Sequence, residues 1–321
     1  MKSPPLLLTF CLFLVVGGIV AVRATESGSA PKAGEYVDLA SIPFSVEPPQ
    51  GPDASAGTFT VECGRNEKGH YNTDNVVTSP GLVGGAHHTH DYVGNVSTNA
   101  LSTDRSLAAA GTTCEDGDRS AYYWPVLRRL DRAGTDADAH GGGRHGNAGE
   151  ILRPSSVRVE YHGSPAGKVI PMPRFLRMIT GDPQALTNGD GQVRAQWGCA
   201  GHPDRFAVEY PRCPAGLGPT RTLDFPSCWN GLHTDSEGHR AHVAFPGPDG
   251  ACPPRTFAVP RLRITLTYDL PPSTPFAVDS FPRQKRHPKT DHAMFINVMT
   301  ERRQARLVAC LNEGRRCRPT P

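Results

Sequence analysis

Glycine and proline limit this chain more than any other feature: 34 glycines and 31 prolines in 321 residues place a helix-breaking residue at about every fifth position. In a helix interior glycine costs ~1 kcal/mol and proline ~3 kcal/mol relative to alanine. The two are spread along the whole length, which excludes coiled coils, helical bundles and helical repeats. Short strands joined by turns remain. Leu262-Arg263-Ile264-Thr265-Leu266-Thr267-Tyr268 alternates apolar and polar residues after Pro260, the pattern of a half-buried strand. Val157–Tyr161, Thr58–Val61 and Ala241–Phe245 repeat it. The first puts Val157, Val159 and Tyr161 on one face; the last puts His242 and Ala244 opposite Val243 and Phe245. Leu101–Ala110 reads as a helix, Glu301–Leu311 as a helix or a strand, and residues 132–149 as an exposed loop without core-forming residues. The expected fold is all-β, one antiparallel β-sandwich, jelly-roll-like, with long loops; an α+β variant is its main competitor.

The N-terminus, with Lys2, an apolar run from Leu6 to Val22 and small residues around Ala24, reads as a signal peptide over residues 1–24. A retained anchor is the alternative, but the run falls short of the ~20 residues a spanning helix needs and carries Thr9, Gly17 and Gly18. The expected product is secreted, with no membrane attachment after cleavage. Residues 25–56 are poor in large apolar side chains and read as a flexible linker or arm, and residues 57–321 as a single domain. Eight cysteines follow the leader: Cys63, Cys114, Cys199, Cys213, Cys228, Cys252, Cys310 and Cys317. An even number in an exported chain reads as disulfides, and the spacing suggests local pairs taken in that order. Losing residues 1–24 lowers the formal net charge from +3 to +1, too near neutral for a nucleic-acid partner. A monomer is expected.

The densest polar constellation is Gly84-Gly85-Ala86-His87-His88-Thr89-His90-Asp91-Tyr92-Val93-Gly94-Asn95. In an extended segment His88 and His90 share a face, where two imidazoles can chelate a divalent metal or act as base and electrostatic partner. A second cluster holds Trp229, Asn230, Asp235, His239 and His242. His239 and His242, three apart, form a paired site only if a turn separates them. Asp291-His292 near the C-terminus adds an acid and an imidazole, and Asp182 ends a strand as an acid or a turn former. Serine-hydrolase elbows, zincin helices, Walker loops and dinucleotide fingerprints are all missing from the sequence.

In order, Cys63-Gly64, Gly85–Asn95, Ser120–Pro125, Leu176–Asp182, Trp197-Gly198-Cys199, Phe225–Gly231 and Gly238–Pro246 resemble the family called domain of unknown function 1996. That family occurs in secreted fungal and actinobacterial proteins, in fungi sometimes joined to a WSC carbohydrate-binding module. The resemblance spans residues 58–311 and picks out His88, His90, Gly94, Asn95, Asp182, Trp229, His239 and His242. The chain departs from the pattern at Asn230, where the family usually has Asp, and at Met294 and Val298-Met299, where it usually has Asp and then Gly-Trp.

Three functions fit these residues. The first is an extracellular enzyme cleaving wall polysaccharide by hydrolysis or elimination, with His88, His90, Asp182, His239, His242 and His292 as its catalytic set. Tyr92, Asn95, Trp124, Trp229, Asn230 and Asp235 would then bind substrate, and His88 and His90 are the candidate ligands of a divalent metal. The second is a non-catalytic glycan-binding module in which Trp229, Trp124 and the tyrosines stack sugars. The third is a disulfide-held structural protein.

Overall fold

The structure, a computed structural model, describes residues 30–318. The expected leader, residues 1–24, lies outside the described residues. Two sheets share one core. The back sheet has six strands in the spatial order Trp197–Cys199, Pro219–Asp224, Arg261–Thr267, Ser156–His162, Thr58–Val61 and Arg316–Cys317. All its pairings are antiparallel except the last. The alternation in Arg261–Thr267 survives intact: Leu262, Ile264 and Leu266 are buried, and Arg261, Arg263, Thr265 and Thr267 are half-buried between them. That strand pairs along its full length with Ser156–His162, which sends Val159 and Tyr161 into the same core.

The front sheet has five antiparallel strands in the order Tyr71–Asn72, His90–Gly94, Ala121–Pro125, His292–Ile296 and Arg177–Gly181. Its inner face sends Val93, Tyr122, Trp124, Met178 and Phe295 into the core shared with the back sheet. Its outer face is covered as well, because Val76, Val77, Leu107 and Val298 pack on Tyr92, Tyr123, Ile179, Met294 and Ile296. The middle strands are therefore buried on both sides, and residues of either parity lie inside. The fold is the all-β sandwich that the strand patterns and breakers demand.

Several boundaries move. Glu301–Asn312 is a helix: Thr300 accepts from the Arg303 amide as its cap, and Gln304, Leu307 and Leu311 form a buried stripe at helical spacing. The earlier helix is Asp104–Ala109, started by the Thr103 side chain on the Ser106 amide. Only Val243–Ala244 of the expected Ala241–Phe245 strand is extended in a sheet, and His242, just before it, is buried as Val243 is. Two hydrogen bonds draw it inward, Nε2 to the Arg177 carbonyl at 2.7 Å and Nδ1 with the Ser236 hydroxyl at 2.8 Å.

The cysteines form four disulfides, Cys63–Cys114, Cys199–Cys213, Cys228–Cys252 and Cys310–Cys317, the local pairing the spacing suggests. The second holds down part of the segment read as an arm: Tyr36–Asp38 pairs in parallel with Tyr210–Arg212, and Leu39 and Ile42 are buried against Cys199. The pair is separated by 14 residues, and a loop of that length confers about 3 kcal/mol by restricting the unfolded chain. Cys199→Ala/Cys213→Ala is therefore expected to lower the unfolding free energy by about 3 kcal/mol and to make residues 30–45 the first site of proteolysis. Chemical denaturation and limited digestion check this; an unchanged midpoint with the arm still protected would contradict it.

Candidate metal centre

His90 and His292 stand on the outer face of the front sheet, on strands separated by Ala121–Pro125. His88 joins them from the turn that leads into His90–Gly94. That turn is tightly determined: His87 takes a left-handed φ of 56°, the Ala86 amide donates to the Thr73 carbonyl at 3.0 Å, and the Val126 amide donates to the Thr89 carbonyl at 2.9 Å. Thr89 also borders a buried ion pair, with its amide on Asp279 Oδ2 at 3.3 Å and Asp279 Oδ1 bound by Arg128 Nε at 2.7 Å. On the far side Gly181 makes the close approach possible. It pairs with His292 at φ 76°, and a Cβ there would meet the Asp291 carbonyl at 2.1 Å.

The three imidazoles converge through one type of nitrogen. His88 Nε2 lies 3.1 Å from His90 Nε2 and 3.2 Å from His292 Nε2. Nitrogens about 2.0–2.1 Å from a tetrahedral zinc stand about 3.3 Å from one another, close to this spacing. Two of the far nitrogens are held from outside, His90 Nδ1 donating to the Asp74 carbonyl and His292 Nδ1 to the Thr290 carbonyl, each at 2.8 Å, whereas the buried His88 Nδ1 has no partner. Because a carbonyl only accepts, both neutral rings carry their proton on Nδ1 and point a lone pair inward from Nε2. A neutral His88 carries at most one proton on Nε2, so it can donate to only one of its two neighbours and the other contact is left without a hydrogen bond. A cation at the centre satisfies all three, and outward N–H bonds to carbonyls are the usual support of histidine ligands.

All three rings are at most 1% exposed. Burial, reinforced by the neighbouring imidazoles, pushes His90 down to about 3 and His88 well below its ordinary value. Burial likewise lowers His292 to about 4. The rings are neutral at physiological pH, as metal ligation requires. Phe281 packs on His88 at 5.2 Å and Tyr123 on His90 at 5.3 Å between ring centroids, closing the sides. A pocket of about 240 Å³ lies against His292, the one ring of the three that lines it, together with Asn75, Ile179, Asp182, Asn188, Arg240 and Met294. Three histidine ligands would leave one position of a tetrahedral ion for a further ligand.

The other expected site residues divide sharply. Asp182 lies in the pocket, its carboxylate accepting from the Gln184 amide at 2.8 Å and from Asn188 Nδ2 at 3.0 Å. Tyr92 is buried under the centre and donates to Asn72 Oδ1 at 2.7 Å, out of reach of a substrate. Asn95 is buried too, and its Nδ2 donates to the carbonyls of Leu107 and Arg119. It is a turn-holding amide rather than a sugar ligand. Trp124 is fully buried on the inner face, so it cannot stack a sugar ring. Trp229 is half-buried with its indole N–H on the His233 carbonyl at 2.7 Å, and Asn230 Oδ1 accepts from the Leu232 and His233 amides. His239 bonds Asp235 at 2.9 Å in that same loop, and His242 is committed to Ser236 and Arg177, so neither reaches the centre.

Asp74, Thr290, Asn188 and Arg240 were not singled out by the sequence. The first two act through backbone carbonyls, which leave no side-chain signature. Met294, Val298 and Met299, the departures from the family pattern, are buried, and Met294 shares the face of His292 and lines the pocket. A second histidine group, His87, His140 and His145, lies nearer the surface. Its His145 Nδ1 already accepts from the Gly141 amide at 3.0 Å, so it is less prepared to ligate.

Fold and site together define a disulfide-stapled β-sandwich with a buried three-histidine centre beneath a surface pocket. The chain belongs to the family described as Domain of unknown function (DUF1996), whose pattern residues 74–296 match. No curated protein and no solved structure matches it significantly.

Proposed function

We propose that this DUF1996 protein is a secreted metalloenzyme that holds a divalent transition metal on His88, His90 and His292 and uses it to cleave an extracellular polysaccharide. The observation that carries the reading is the convergence of three imidazole Nε2 atoms, with the His90 and His292 rings oriented from outside by the Asp74 and Thr290 carbonyls. Imidazole ligands suit zinc and copper. Such an ion supplies Lewis acidity at the open position, towards the pocket. Asp182, fixed by Gln184 and Asn188, is the carboxylate placed to exchange a proton there, and Asn75 and Arg240 orient the ligand. The four disulfides and the apolar leader support export, since disulfides persist in oxidising compartments. The burial of Trp124 and Tyr92 favours this reading over a glycan-binding module built on stacked aromatics.

The test is elemental analysis and calorimetric titration of zinc and copper on wild type, His88→Ala/His90→Ala and His292→Ala, with near-UV circular dichroism to confirm folding. Wild type is expected to hold one tight equivalent that both variants lose, with affinity lowered at least ~100-fold. Release of soluble sugar from insoluble wall polysaccharide should need that equivalent. A wild type that binds no metal, or folded variants that bind it equally well, would overturn the assignment.

A further inference from the structure

We infer that the pocket over His292 takes an acidic sugar unit, a uronate, and that Arg240 is the residue that recognises its carboxylate. This rests on the metalloenzyme reading of the same site and adds the charge of the substrate. Arg194 and Arg205, half-buried and without a carboxylate partner, lie over the rings of Phe245 and Phe44, and three further arginines are ion-paired. Arg221 is paired with Asp291, Arg128 with Asp136 and Asp279, and Arg263 with Asp224 and Glu47. Arg240 is half-buried, yet its guanidinium makes a single hydrogen bond, from Nη2 to the Gly181 carbonyl at 2.6 Å. Among the described residues no carboxylate lies within 4.0 Å of it. Burying a charge without a partner is costly, and a ligand carboxylate would relieve that cost with a fork of two charge-assisted bonds.

The rest of the pocket has the same bias. Asp182 is its only carboxylate, and both oxygens already accept hydrogen bonds. Asn75 has its carbonyl oxygen occupied by the Val77 and Thr78 amides and the Tyr123 hydroxyl, which leaves the Nδ2 group as a donor. A divalent ion on three neutral imidazoles keeps its full charge. The site thus presents a doubly charged ion and a guanidinium against one carboxylate, with donors in excess. Such a pocket favours an acceptor-rich anion over a neutral glucan or mannan unit.

The experiment is calorimetry on metal-loaded protein with three probes: galacturonate oligomers, glucose oligomers of the same length, and inorganic sulfate. Galacturonate oligomers are expected to bind at least ~10-fold more tightly than glucose oligomers. Arg240→Gln should weaken galacturonate binding ~10–100-fold while bound metal stays unchanged, and Arg240→Lys should recover part of the loss. Equal affinity for acidic and neutral oligomers, or galacturonate binding indifferent to both substitutions, overturns the inference. So does sulfate alone binding as tightly as the oligomer, which would mark a simple anion site. Bound metal, measured in the same samples, separates the two readings: its absence fails the metalloenzyme, whereas its presence with no acid preference fails only the uronate.

Discussion

Asp291→Ala is expected to lower the unfolding free energy by about 3–5 kcal/mol, the cost of leaving one partner of a buried ion pair uncompensated. Asp291 and Arg221 have fully buried side chains and form a two-pronged pair, with Arg221 Nε on Asp291 Oδ2 at 3.1 Å and Nη2 on Oδ1. Arg221 belongs to the back sheet and also donates to the Pro125 carbonyl at 2.8 Å and the Tyr268 hydroxyl at 3.1 Å. Losing Asp291 therefore leaves Nε and Nη2 of a buried guanidinium without their partners inside the sandwich. The pair ties the two sheets together immediately before His292, so the metal centre should loosen with it. We expect bound metal to fall along with stability, as read by denaturant unfolding and elemental analysis of one preparation. Arg221→Met/Asp291→Leu, which removes both charges, should cost less than the single substitution. A single variant as stable as wild type would show that this pair is not what holds the sheets in register.

Metal-free protein is expected to lose about 5 kcal/mol of stability as the pH falls from about 6.5 to about 4.5. An unfolded histidine takes up a proton near its ordinary value of about 6.5. In the folded chain burial pushes His90 down to about 3 and His162 and His292 to about 4, with His88 displaced the same way. Between those values the unfolded state binds more protons, so stability rises with pH and falls on acidification, by ~1.4 kcal/mol per pH unit for each fully displaced ring. Asp91, which burial raises to about 7, acts in the opposite direction, as do the raised carboxyls of Asp118 and Asp279. A net effect worth about two histidines over two pH units gives the quoted figure. Bound metal keeps its ligands deprotonated, so the loaded protein should hold its stability to lower pH before protons displace the ion. Unfolding series in chelator and in excess zinc test both statements. A flat profile in chelator, or two superimposed profiles, would contradict the neutral buried centre.

The front sheet shows why some site residues were legible and others were not. His88 and His90 stood out by their spacing, and Asp182 and His292 by the polar motifs around them. Trp124 and Tyr92 were misassigned to sugar contact for one reason. Alternation separates the two faces of a strand, but here both faces are covered, one by the back sheet and the other by the Val76–Leu107 cover. His239 and His242 were near enough in sequence to suggest a pair, yet Asp235, Ser236 and the Arg177 carbonyl claim them separately. Arg240 lay in a recognised segment without notice, because an unpaired guanidinium is a property of its surroundings.

Local chemistry in the sequence was sufficient for the β class and the list of candidate imidazoles, and the cysteine spacing suggested the disulfide pairs. Those properties depend on breakers, period-two alternation and loop lengths, which are all local. The tertiary structure alone decided that His292 meets His88 and His90, that the far nitrogens of His90 and His292 rest on the Asp74 and Thr290 carbonyls, and that His292 shares a pocket with Asp182 and Arg240. The reason is physical: a metal centre requires three nitrogens within a few tenths of an ångström of their places. That precision comes from the register of strands about two hundred residues apart and from the Arg221–Asp291 pair that joins their sheets.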